Sequence, residues 1–151
     1  MPSITPFLWF NDNAEAAMQH YTSIFKNSKI VTVNRLPNGG MVMGTFEIEG
    51  QRFHVLNGGP AHKFNPAISL FVSVETQAEV DEYYGKLVAG AREDSCGWLQ
   101  DKFGLSWQII PTALGRLMGD NDTAKAGRVM QAMMQMKKID IAALQRAYEG
   151  R

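Results

Sequence analysis

The sequence predicts an α+β fold made of two consecutive βαβββ modules with a helical C-terminal extension. Three observations carry that reading. A strand-like apolar run followed by helix-capping residues occurs twice, and the two candidate capping boxes, Asp12/Glu15 and Thr76/Glu79, stand 64 residues apart. Each half then closes on a hairpin hinged at a glycine, Gly50 in the first and Gly104 in the second. Beyond Pro111 only helical spacing remains.

Residues 4–10 are apolar and aromatic-rich, and Asn11-Asp12-Asn13 breaks the run with three good capping residues. Ala14, Ala17, Met18, Tyr21 and Phe25 then recur at helical spacing. Residues 29–35, rich in β-branched side chains, read as the next strand, and Pro37-Asn38-Gly39-Gly40 as the turn after it. Residues 41–49 and 51–56 form two more strands around Gly50. The second half repeats the order: a strand over 67–74, and a helix with Val80, Tyr83, Tyr84, Leu87 and Val88 on one stripe, ended by Gly90. A short strand near 92–95 and a hairpin of 98–103 with 105–110 follow. The tail reads as a short helix over 114–119, one capped by Asp122 or Thr123 running to Met136, and one capped by Asp140 running to Tyr148. The expected organisation is one domain over 1–151, with module one at 1–60, module two at 61–111 and C-terminal helices at 112–151.

Composition excludes several function classes. Fifteen basic side chains balance fifteen acidic ones. Residues 116–151 carry seven basic and four acidic groups and the first 115 carry eight and eleven, so neither part offers a phosphate-binding stripe and no nucleic-acid partner is expected. Cys96 is the single cysteine, which removes intramolecular disulfides and thiolate-rich zinc sites. No apolar run is long enough for a membrane span and the first residues lack the pattern of a secretory leader, so the expected location is cytoplasmic.

Glycine loops do not point to nucleotide binding. Gly39-Gly40 lies between strands and Gly58-Gly59-Pro60 precedes one, whereas a phosphate loop opens a helix. Cys96 has no activating histidine nearby in sequence and reads as a small buried or half-buried thiol. His20 falls beside the apolar stripe of the first helix and reads as a helix-surface residue; His62 lies in a connection and reads as solvent-exposed. His54 is different. Alternation along 51–56 puts Phe53 and Val55 on one face and His54 with Leu56 on the other, so His54 either lines a cavity or is a hydrogen-bonded core imidazole. Superposing Gly104 on Gly50 sets Trp107 on Phe53 and Gln108 on His54, and superposing the helix caps sets Ser69 on Thr5. Met130, Met133, Met134 and Met136 crowd one stretch, as core filling, an oligomer contact or an adaptable surface.

Asp101-Lys102-Phe103-Gly104 with Trp107-Gln108 and Pro111, Asn57-Gly58-Gly59-Pro60, and Lys137-Lys138-Ile139-Asp140 with Leu144 resemble the PhnB-like branch of the vicinal oxygen chelate (glyoxalase/bleomycin resistance) superfamily. That branch often bears the label demethylubiquinone 3-methyltransferase. The resemblance covers nearly the whole chain. It implies paired βαβββ modules curling around a shared cavity, commonly in a homodimer. In metal-dependent members, His, Glu or Gln on the first and last strand of each module hold a divalent metal, and here those positions fall on Thr5, His54, Ser69 and Gln108. Thr and Ser hydroxyls are poor transition-metal ligands, so His54 and Gln108 are the only competent pair and no metal cofactor is expected.

The function expected is binding of a small molecule, without metal, in a cavity between the two modules, with Thr5, His54, Ser69 and Gln108 as polar groups and Trp9, Phe7, Phe53, Trp98 and Trp107 as aromatic walls. Two alternatives stay open: an enzyme acting on a small oxygen-rich compound, with metal or with His54 as base, and an interaction module docking a partner through the C-terminal helices. The methyltransferase label finds no support in the residues, because a methyl-donor site of the usual kind needs a strand, a glycine loop and a helix N-terminus in succession.

Overall fold

A computed structural model describes all residues, Met1–Arg151, which divide into two compact units, Met1–Phe64 and Asn65–Arg151. In the first unit the elements are β1 (Phe7–Phe10), α1 (Ala14–Ile24), β2 (Ser28–Arg35), β3 (Met41–Ile48) and β4 (Gln51–Asn57). They form a four-stranded sheet in the order β1-β4-β3-β2, with β1 parallel to β4 and the other pairs antiparallel. Alternation sorts the side chains by face. Leu8, Phe10, Phe46, Phe53 and Val55 are buried with Ala17, Met18 and Tyr21 of α1. Phe46 and Phe53 are register partners and stack at 5.1 Å between centroids. The helix lies close because position 44 is glycine: a Cβ there would stand 2.7 Å from Met18 Cε and 3.0 Å from the Thr32 carbonyl oxygen.

One sequence expectation fails in this unit. The N-cap of α1 is Asn13, which makes no side-chain cap bond. The Ala14 N–H is instead taken by Asn57 Oδ1 at 2.9 Å, while Glu15 pairs with Arg35 at 2.8 Å. Asn57 caps from a distant strand what Asp12 was expected to cap locally, since a side chain held by the sheet offers the same acceptor with its position already fixed.

The second unit begins with β5 (Ser69–Val74), α2 (Gln77–Val88), β6 (Arg92–Glu93), β7 (Trp98–Gln100) and β8 (Ser106–Pro111). Its sheet order, β5-β8-β7-β6, repeats that of the first. The Thr76/Glu79 capping box forms as the sequence predicts, each partner bonding the other's backbone N–H. Tyr84, 3% exposed, donates its hydroxyl to Glu93 at 2.8 Å; burial, then that carboxylate, pushes its phenol well above the ordinary value.

Three helices complete the unit: α3 (Thr112–Met118), α4 (Thr123–Met134) and α5 (Ile141–Tyr148). Asp122 caps α4 and Asp140 caps α5, both through side-chain bonds. Ile110, Leu114, Leu117, Val129, Ile139 and Leu144 bury one another, with Met118, Met133, Met136 and Tyr148 against them. The methionine cluster is thereby split, because Met130 and Met134 remain exposed. Gln77 of α2 ties the segment down, donating to the Ile139 carbonyl at 2.9 Å and accepting from the Ile141 N–H at 2.8 Å. No helix is long and apolar enough to cross a membrane.

Candidate functional site

The hairpin β3–β4 turns on Glu49 and Gly50, both at positive φ (48° and 82°), as a tight two-residue hairpin demands. Counting outward from it pairs Thr45 with His54. On the other side β1 pairs Phe7 with His54. One row across the open face of the first sheet, away from α1, thus reads Phe7, His54, Thr45. His54 Nδ1 lies 2.8 Å from Thr45 Oγ1, and its ring meets Phe7 at 5.6 Å between centroids. Phe7 is 50% exposed, unusual for so large an apolar group. Farther along this face, Arg52 and Glu47 are paired to each other at 3.0 Å.

The second sheet repeats the arrangement with different groups. Phe71 pairs with Gln108 in parallel, and Trp98 pairs with Gln108 in antiparallel register. The row reads Phe71, Gln108, Trp98, with Phe71 60% exposed. Gln108 Nε2 donates to Ser69 Oγ at 2.9 Å. Phe7↔His54 and Phe71↔Gln108 are the same relationship at shifts of 64 and 54 residues, the shifts that the sequence comparison of caps and glycine hinges uses.

The expected site residues therefore divide. Ser69 and Gln108 come together within the second unit. In the first unit His54 takes Thr45 as partner, and Thr5 lies before β1 without a hydrogen bond to it. Trp107 departs from the expectation: it is 2% exposed, sits on the opposite face of β8 from Gln108, and donates its indole N–H to Asp101. It is core. Phe7 stands beside the polar group as a candidate wall residue, whereas Thr45 and Phe71 were missed in the sequence. Hairpin counting from Gly50 would have found Thr45, and the 64-residue shift would have paired the two phenylalanines.

Two other motifs turn out to be structural. Asp101, 4% exposed, accepts from the Phe103 and Leu105 N–H groups at 2.9 and 3.0 Å and from Trp107, so the Asp-x-Phe-Gly turn fastens a core indole. Gly58 lets Trp9 lie against the chain, because a Cβ there would be 2.4 Å from the indole ring. Trp9 donates to the Gly59 carbonyl at 2.9 Å, and His62, exposed as expected, meets the indole edge-on at 4.8 Å.

The donor set fits a transition metal poorly. In neither unit do three or more His, Cys, Asp or Glu side chains come together, His54 Nδ1 is committed to Thr45, and Gln108 is bonded to Ser69. What each face can do is surround one or two uncharged hydrogen-bonding groups with aromatic surface.

Residues 2–110 match the family described as 3-demethylubiquinone-9 3-methyltransferase. A PhnB protein of Bacillus cereus bearing that description is 34% identical, covers 73% of this chain and 99% of its own, and superposes with a TM-score of 0.68. A glyoxalase/bleomycin resistance protein/dioxygenase domain from Frankia shares the fold at 15% identity, covering 74% of this chain and 92% of its own with a TM-score of 0.53. The fosfomycin resistance protein FosX of Listeria monocytogenes, solved with Mn(II) and sulfate, does so at 16% identity, 71% and 89% coverage and a TM-score of 0.50. No curated protein matches. Helices α3 to α5 lie beyond the matched residues. With a family match over most of its length and a duplicated βαβββ architecture, the chain belongs to the PhnB-like family described as 3-demethylubiquinone-9 3-methyltransferase, on the glyoxalase/bleomycin resistance fold.

Proposed function

We propose that this protein binds a small, uncharged, partly aromatic molecule on the open faces of its sheets, without a transition metal. The observation that carries the reading is the repeated row of an exposed phenylalanine beside a single polar side chain, Phe7 with His54 and Phe71 with Gln108. Exposed aromatics cost solvation unless something covers them, and the polar pair beside each, His54 with Thr45 and Gln108 with Ser69, supplies hydrogen-bonding orientation. Methyl transfer, despite the family description, draws no support from the residues: α1 and α2 open on Asn13 and Thr76, not on a glycine loop of the kind that holds a methyl donor. A homodimer belongs to the same proposal, motivated by exposed Met130 and Met134 on α4.

The test is fragment binding followed by NMR, with metal analysis of protein prepared without chelator. Resonances of Phe7, His54, Phe71 and Gln108 should shift with neutral aromatic fragments. His54→Ala should weaken binding at its face by about 1–2 kcal/mol, the worth of a hydrogen bond in a dry site, and His54→Gln by less. Stoichiometric metal lost on His54→Ala would overturn the metal-free reading. A monomeric mass at every concentration in ultracentrifugation would overturn the dimer.

A further inference from the structure

We infer that Thr45 fixes the tautomer of His54, so that the imidazole presents a protonated Nε2 to the ligand and selects a molecule carrying an oxygen acceptor there. The inference deepens the proposed binding role and rests on it for the ligand, while the tautomer stands on the geometry alone.

The argument is a count of protons. Thr45 is 7% exposed, and its hydroxyl has one partner in the chain, His54 Nδ1 at 2.8 Å. A hydroxyl carries one proton and two lone pairs, and neutral imidazole carries one N–H and one bare nitrogen. If Nδ1 held the proton and donated to Thr45 Oγ1, the threonine proton would be left without an acceptor in a nearly closed position. If the hydroxyl donates to a bare Nδ1, both groups are satisfied. An orphaned buried donor shifts such an equilibrium by about tenfold or more, so the second arrangement prevails.

The proton then sits on Nε2. That nitrogen has no hydrogen-bond partner in the chain and is not among the buried unpartnered atoms, so it is open to solvent. It lies on the face that bears exposed Phe7. An N–H donor beside an aromatic side chain suits a carbonyl or similar oxygen conjugated to a ring. A protonated Nε2 has no lone pair for a metal or for taking a proton from substrate, so Thr45 also biases His54 away from ligation and general-base work.

The experiment is long-range proton–nitrogen correlation NMR of the whole protein at neutral pH, with acetophenone and its isostere α-methylstyrene as probes. His54 should show a bare Nδ1 and a protonated Nε2. Thr45→Val, which keeps the shape and removes the hydroxyl, should mix the tautomers, and Thr45→Ser should restore the single form even if the valine variant folds poorly. Acetophenone should shift the His54 and Phe7 resonances and bind about tenfold more tightly than α-methylstyrene, with the advantage reduced in Thr45→Val in proportion to the fraction of protonated Nε2 that is lost. A protonated Nδ1 in the wild type, or an unchanged tautomer in Thr45→Val, would overturn the inference. Equal binding of the two probes would overturn its ligand class. The expected tautomer with no response of either sheet to either probe supports the role of Thr45 and counts against the proposed function.

Discussion

Asp101 and Trp107 are joined by a hydrogen bond of 2.9 Å from the indole N–H to Oδ2, inside the core of the second unit. The other carboxylate oxygen accepts two backbone N–H groups of the same turn, so one buried side chain satisfies three donors. Asp101→Ala should therefore destabilise the protein by about 3–4 kcal/mol, because it strands donors that cost about 1–3 kcal/mol each when left unpaired. Asp101→Asn, which retains one acceptor oxygen, should cost less. Urea denaturation measures both, and a change below 1 kcal/mol on Asp101→Ala would contradict this account.

Gly58→Ala should displace the Trp9 indole. A Cβ 2.4 Å from the ring cannot be accommodated without moving it, and overpacking of this kind costs about 1–3 kcal/mol. The bond from Trp9 to Gly59 and the contact with His62 should be lost with it. Added to Trp9→Ala, Gly58→Ala should cost little more, since the clash has no partner left. Additive losses in the double-mutant cycle would refute the link.

Removing the side chain of Gln77 should loosen the C-terminal helices without touching the first unit. It leaves the Ile139 carbonyl and the first N–H of α5 unpaired, at about 1–2 kcal/mol. Hydrogen exchange of Gln77→Ala should speed up in α5 and in the Cys96–Gly97 turn, whose N–H groups bond to the Met136 and Lys137 carbonyls at 2.8 and 2.7 Å. Uniform acceleration across the chain would show that the clasp is not local.

Acid should act on the same segment. Lys138, at 2.8 Å, and Gln77 hold the Asp81 carboxyl below its ordinary value, and the Tyr148 hydroxyl does the same for Asp120. A depressed folded-state pKa contributes stability that is present above the unfolded value, near 3.8, and is lost as pH falls through the folded one. Protection of α5 should thus decline below that pH, and the decline should be shallower in Asp81→Asn. Asp81 is exposed and Asp120 half-buried at the surface, so the effect is small and should shrink in salt.

The element order was legible in the sequence because each module states it in local terms: apolar alternation for strands, helical spacing for α1 and α2, Gly50 and Gly104 for the hairpins. Strand starts were less legible. Residues 4–6 look as strand-like as Phe7–Phe10, but strand pairing begins at Phe7, opposite His54. The first capping box failed for a related reason, since Asn57, 43 residues away, reaches the helix N-terminus before any local competition can be read. For the candidate site, His54, Ser69 and Gln108 were visible as equivalent positions in a repeat. Trp107 was misplaced because an aromatic beside a polar residue on one strand belongs to the other face, and only the Asp101 carboxylate shows which face is core.

The sequence by itself determined the duplication, the α+β class and the family, because periodicity, hinges and short motifs are properties of neighbours along the chain. Tertiary structure alone decided which partner each polar side chain keeps. Thr45 meets His54 and Ser69 meets Gln108 through strand pairing, and pairing sets both which atoms stand within 3 Å and which lone pairs and protons are left for a ligand.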